Sequence, residues 1–145
     1  MITNKLKQLK NFAIPTLILQ LLNLCCIIAI IYYSIISATY AISSASTLAD
    51  LKTVNNSYTT TIILVILIVI SGLTSFIFTI LNIIWLSNIK AYYIDKDKEL
   101  FQKFNTSFIL IIVGLFINIV LLIGTILVIV NTTQQLNKEN QKQVS

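Results

Sequence analysis

The chain lacks charge over most of its length. Residues 11–49, 53–89 and 104–137 contain no Asp, Glu, Lys or Arg, and an ionised side chain at the centre of a bilayer costs at least about 2.5–3.5 kcal/mol. Segregation this strict marks a chain shaped by hydrocarbon. Of its 145 residues only 10% are charged and 57% are hydrophobic, whereas a soluble domain carries about 25% charged residues. A water-soluble core is thereby excluded. The length suits one transmembrane domain, residues 1–145, with no second domain beside it.

Further absences narrow the chemistry. The chain has no His, and its basic residues are all Lys. Proton relays and intramembrane hydrolases usually place Asp, Glu, His or Arg within the bilayer, and these stretches hold none. Ser and Thr have no His or placed Lys to act as base. Gly72, Gly114 and Gly124 are the only glycines and form no phosphate loop. Asp95, Asp97 and Glu99 alternate with Lys96 and Lys98 and lack the pattern of a calcium loop. No catalytic residue, cofactor, metal or small-molecule substrate is expected, and the chain does not read as an enzyme.

The two cysteines, Cys25 and Cys26, are neighbours inside the first apolar stretch. Adjacent helical positions point about 100° apart, so a disulfide between them is disfavoured. Their mid-depth position disfavours palmitoylation, and two thiols are too few for a zinc site. Leu22-Asn23-Leu24 before Cys25 is too bulky for a lipoprotein cleavage site. A net charge of +5 without Arg, and without aromatics interleaved on a basic face, excludes nucleic acid in favour of an anionic membrane surface. Abundant Ile, Asn, Lys and Tyr have A/T-rich codons and suggest a low-GC bacterium. The Asn-x-Ser/Thr patterns at Asn55, Asn105 and Asn131 are then expected to go unused.

A bilayer core of about 30 Å needs about 20 helical residues. Each charge-free stretch holds such a segment, with spans near 12–36, 60–86 and 107–130, a cytoplasmic loop near 87–106 and a polar tail at 131–145. Phe12–Ile36 is longer than the apolar part of a cleaved signal peptide, although Ser43-Ser44-Ala45 offers a peptidase site. Lys5, Lys7, Lys10, Lys90, Lys96, Lys98 and Lys103 fall on one side, against Lys52, Lys138 and Lys142 on the other. The positive-inside rule then puts the N-terminus in the cytoplasm and, after three spans, the C-terminus outside the cell membrane. The expected fold is all-α, a three-helix transmembrane bundle whose helices extend beyond the bilayer.

The flanks carry their own signals. Ile2, Leu6, Leu9 and Ala13 share a helical face opposite the lysines, as in an interfacial amphipathic helix, and Pro15 is placed to bend it. Ser37–Ala49 reads as an outward continuation of helix one, and Asn55-Asn56-Ser57 as a turn. Asp95 or Asp97 is placed to cap a helix that starts before the third span. Lys5, Lys7, Lys10, Trp85, Lys90, Tyr92 and Tyr93 read as interfacial anchors, with Tyr32, Tyr33, Tyr40 and Tyr58 at the opposite interface.

Within the spans the informative pattern is the placement of small and uncharged polar residues. Thr16, Gln20, Asn23, Ile27, Ile30, Ser34, Ser37, Ala41 and Ser44 recur by four and three along helix one. Ser71, Ser75, Thr79 and Asn82 share a face of helix two. Ser107, Ile111, Gly114, Asn118, Leu121 and Thr125 do so in the third span. Membrane helices associate through small residues and interhelical hydrogen bonds, so these edges are expected to meet, with Asn23 and Asn118 paired near the midplane. The leading functional reading is a non-catalytic accessory subunit or scaffold that binds the lipid bilayer and other membrane proteins. A small homo-oligomeric pore or transporter, such as a holin-like protein, is the alternative.

Overall fold

The computed structural model describes residues 2–42 and 48–144, with side chains described for residues 2–39 and 55–141. The described residues are helical apart from two short connections: α1 Ile2–Ile42, α2 Leu48–Tyr93, α3 Lys98–Gly114 and α4 Asn118–Val144. Among the described residues three helices are long and apolar enough to cross a membrane, Ile2–Thr39, Asn55–Tyr93 and Asn118–Gln141. The all-α class read from the sequence is therefore present, and the length and apolar composition of these helices are compatible with a membrane protein. At about 1.5 Å per residue, α1 and α2 both outrun a bilayer core of about 30 Å. Ser43-Ser44-Ala45, and with it the last position of the first seam, lies outside the described residues.

The chain separates into two compact units, residues 21–74 and residues 1–20 with 75–145. The first is a helical hairpin made of the later part of α1 and the earlier part of α2. The two arms meet where Ser71 of α2 bonds Asn23 of α1, 48 residues before it in the chain. Asn55-Asn56-Ser57, expected to break the chain, lies inside α2. There Thr59 and Thr60 return their hydroxyls to the Asn55 and Asn56 carbonyls at 3.0 and 2.9 Å. A turn-prone triplet is weak against long apolar neighbours that favour an uninterrupted helix.

The second unit packs the first turns of α1 and the last turns of α2 against α3 and α4. Its core holds Leu6, Leu9 and Ala13 from α1, Leu86, Ile89 and Tyr93 from α2, Phe104 and Ile111 from α3, and Leu121, Val128 and Leu136 from α4. The amphipathic face at Ile2–Ala13 is therefore as the spacing predicts, but its apolar side covers protein instead of headgroups. α1 continues through Pro15. Residues of α1 before Thr16 share this core with residues of α2 after Asn82, so these two segments run antiparallel.

At the end of α2, Asp97 caps α3 by accepting the Leu100 N–H at 3.0 Å. One turn on, the Lys103 ammonium donates to Glu99 at 2.6 Å and holds that carboxyl below its ordinary value. The small stabilisation this exposed pair gives is present above the ordinary carboxylate range and fades as the pH falls through it.

The third span departs from expectation. The segment 107–130 is not one helix: α3 ends at Gly114, residues 115–117 turn, and α4 runs back along α3. Ser107 meets Asn131, Ile111 lies against Gly124, and Gly114 lies against Leu121. The turn retains its backbone bonding, with Leu115 N–H donating to Ile111 O, Phe116 N–H to Val113 O and Ile117 N–H to Gly114 O, all at 3.1 Å. α4 then continues through residues expected to form a polar tail, where Thr132, Gln135 and Leu136 are buried. The third helix long and apolar enough to cross a membrane is therefore Asn118–Gln141, shifted from the expected 107–130.

Gly114 makes the close approach possible. A Cβ there would sit 2.4 Å from the Leu121 backbone, whereas a Cβ on Gly72 would meet nothing within 4 Å. We expect Gly114→Ala to destabilise the protein by about 1–3 kcal/mol through overpacking, and Gly72→Ala to be tolerated. Thermal unfolding of both variants in a mild detergent, followed by Trp85 fluorescence, checks the contrast; equal midpoints would refute the close approach.

Candidate functional site

Among the described residues chemistry-bearing groups are sparse, and the polar seam is their one organised constellation. In the unit built from residues 1–20 and 75–145 it rests on a repeated device. A threonine inside a helix gives its hydroxyl hydrogen to the carbonyl four residues back, and its oxygen retains lone pairs for a second helix. The Thr16 hydroxyl donates to Phe12 O at 2.7 Å and accepts from Asn82 Nδ2 at 2.9 Å, joining α1 to α2. Likewise Thr125 donates to Leu121 O at 2.8 Å and accepts from Gln20 Nε2 at 3.2 Å, joining α4 to α1. Ser107 donates to Lys103 O at 3.1 Å and accepts from Asn131 Nδ2 at 3.2 Å, stapling α3 to α4. Thr79 closes its own bond to Ser75 O, and both side chains are buried.

In the other unit Ser71 returns its hydroxyl to Leu67 O at 2.7 Å and also bonds Asn23 Oδ1. Asn23 thus has a partner on α2. Asn118 is the exposed first residue of α4. The expected Asn23–Asn118 pair depended on counting depth along an unbroken third helix, and the turn at 115–117 invalidates that count.

Of the other seam positions, Ser71, Ser75, Thr79, Asn82, Ser107, Ile111, Gly114, Leu121 and Thr125 are buried. Residues 107–114 and 121–125 had been read as one face of one helix; they are two faces that meet across a hairpin. The sequence reading missed Asn131, seen only as part of a glycosylation pattern, together with Val128, Thr132 and Leu136. The signal was present: Leu121, Thr125, Val128, Thr132 and Leu136 recur by four, three, four and four, a helical stripe that runs on past the apolar segment.

The anchor residues divide. Lys90 lies 4.2 Å from the Phe108 ring centroid and donates to Asn105 Oδ1 at 3.2 Å, while Lys96 sits 3.9 Å over the Tyr92 ring. Tyr92 remains exposed. Tyr93 is buried, stacked on Phe104 with centroids 5.8 Å apart, and Trp85 packs partly buried against the core. Lys7 is exposed and Lys5 and Lys10 half-buried. Both cysteines are free, Cys25 exposed and Cys26 buried. Among the described residues no three His, Cys, Asp or Glu side chains gather as metal ligands.

The seam holds helices together, and imperfectly. Asn82 Oδ1 and Gln20 Oε1 are buried without a hydrogen-bond partner, and an unpaired buried acceptor costs about 1–3 kcal/mol. That asymmetry gives an unusual expectation. Thr16→Val strands the Asn82 amide donor as well and is expected to destabilise by about 1–3 kcal/mol. Replacing both residues, Thr16→Val with Asn82→Leu, removes every polar atom of the pair and is expected to restore most of the loss. A double-mutant cycle measured by unfolding in detergent reads this directly, and strictly additive losses would refute the pairing. Comparison with protein-family models, curated proteins and solved structures finds no match to this chain.

Proposed function

We propose that the chain is a non-catalytic, multi-pass protein of a bacterial cell membrane that serves as an accessory subunit or scaffold within a larger membrane assembly. The observation that carries the reading is how the polar groups in the spans are used. Thr16, Gln20, Asn23, Ser71, Asn82 and Thr125 bond to one another in pairs, and those pairs join helices of this chain. An aqueous path would need such groups directed to water. What the long helices leave outward is apolar: Ile28, Ile31 and Ile35 on α1 and Ile66, Ile70, Leu73 and Ile77 on α2 are exposed. Lipid and the spans of other proteins match that surface. The lysines at the N-terminus and at the α2–α3 connection support a cytoplasmic side for those segments.

A scaffold is defined by its neighbours. Affinity purification from native membranes in mild detergent, with cross-linking and mass spectrometry, is expected to recover the chain repeatedly with the same other membrane proteins. Recovery alone at its monomer mass would count against the reading. Reconstituted into dye-loaded liposomes, the chain is expected to leave the vesicles sealed; release of dye would favour the homo-oligomeric pore instead.

A further inference from the structure

We infer that α3 and α4 form a re-entrant hairpin that enters and leaves the bilayer on one face, so that both termini lie on the side of the α2–α3 connection and the turn at Leu115-Phe116-Ile117 rests among acyl chains. The inference depends on the membrane reading and is independent of the scaffold role.

Length gives the first argument. The uncharged part of α3, Phe104–Gly114, amounts to about 16 Å of helix at about 1.5 Å per residue, too short for a bilayer core of about 30 Å. α4 lies antiparallel against it, as the pairs Gly114–Leu121 and Ser107–Asn131 require. The two therefore share one depth range, and the turn is their deepest point. From there α4 returns to the level at which α3 began. Asn131 Nδ2 reaches the Lys103 carbonyl at 3.4 Å, and Leu136 of α4 shares the core with Tyr93, the last residue of α2.

The turn itself supplies the second argument. Its three side chains are apolar and uncovered, with Phe116 89% exposed. A water-exposed connection of this length usually carries Gly, Pro, Asn or Asp. Irregular backbone in hydrocarbon is tolerated only where its polar groups are paired, and the N–H groups of Leu115, Phe116 and Ile117 all bond within the turn. The turn's own N–H groups are thus satisfied and its three side chains are apolar, with Gly114 before it and the exposed Asn118 after it. Acyl chains are the occupant that fits an apolar tip lying farthest from every charge in its hairpin.

Charge supplies the third. If α4 ended on the opposite face, Lys138 and Lys142 would join Lys52 there. With both termini on one face, nine of the ten lysines are cytoplasmic and Lys52 alone is outside. The hairpin thus strengthens the lysine bias that orients the chain.

The test uses the full chain in cells. In a Cys25→Ser, Cys26→Ser background, single cysteines replace Asn56, Lys96, Phe116 and Asn140 and are probed with a membrane-impermeant maleimide on intact cells and on inside-out vesicles. The expected result is that Lys96→Cys and Asn140→Cys label only in inside-out vesicles and Asn56→Cys only in intact cells. Phe116→Cys is expected to label in neither until detergent is added. Labelling of Asn140→Cys in intact cells would overturn the shared face, and labelling of Phe116→Cys in intact cells would overturn re-entry. If every site labels in both preparations without detergent, the membrane reading itself fails. Because substitutions can disturb folding, reporters fused to the C-terminus of the unaltered chain give a second readout. A fluorescent protein that matures in the cytoplasm is expected to be bright and a phosphatase active only outside to be silent, and the reverse would refute the inference.

Discussion

A polar atom inside a bilayer must find its partner in the protein, and that constraint organises what this chain does with its few polar side chains. Lipid gives helices no hydrophobic reason to associate. Where the chain joins one helix to another, it often does so with an amide donating to a hydroxyl that already serves its own helix. Thr16 with Asn82 and Thr125 with Gln20 are two instances. Such a hydroxyl costs its helix little, since its hydrogen is satisfied locally whether or not the second helix arrives. The interhelical bond then adds direction to contacts that dispersion alone leaves free to rotate. Ser107 with Asn131 applies the same device between α3 and α4.

Close packing is the complement of these bonds, and it is sharpest where Gly114 meets Leu121. The turn between α3 and α4 is short, and a hairpin this tight brings two backbones together at its base. A glycine before the turn removes the side chain that would hold them apart. Gly124, opposite Ile111, extends the same accommodation along α4, where a Cβ would stand 3.1 Å from the Ile111 backbone nitrogen. Above that base the separation is filled by larger residues, Phe104, Ile111 and Val128, all fully buried or nearly so. The core therefore widens from glycine at the turn to aromatic rings at the charged end, where Tyr93 stacks on Phe104.

Much of this was legible in the sequence because charge exclusion and helical periodicity are strong signals. The apolar helices, a cap at Asp95 or Asp97, which the structure puts at Asp97, and the polar edge of α2 at Ser71, Ser75, Thr79 and Asn82 follow from residue spacing alone. The turn at 115–117 does not. Hydropathy is blind to direction, and Val113-Gly114-Leu115-Phe116-Ile117 is as apolar as a crossing helix would be. The usual breakers are an uneven guide, since Asn55-Asn56-Ser57 stays helical whereas Gly114 and Asn118 bracket a turn whose own three residues are apolar. The face on which Ile2, Leu6, Leu9 and Ala13 lie was equally clear, but periodicity cannot say whether an apolar stripe meets lipid or protein.

That ambiguity also explains why three candidate crossings need not mean three crossings. In the most apolar stretch of α1 and of α2, 11% of residues are buried inside the protein, against 39% for α4. α4 spends much of its apolar surface on α3 and on the core of its own unit, through Leu121, Thr125, Val128, Thr132 and Leu136. A helix with lipid on nearly all sides needs apolar residues all round. One packed against neighbours needs them on its buried stripe for one reason and on its outer side, at Ile119, Ile123, Ile126 and Val130, for another. Both demands raise the hydropathy of a helix, although that of α4 stays below that of α1 and α2. What separates them is the buried stripe's continuation beyond the apolar segment into Thr132, Gln135 and Leu136, because lipid has no use for periodicity there and a packed helix does.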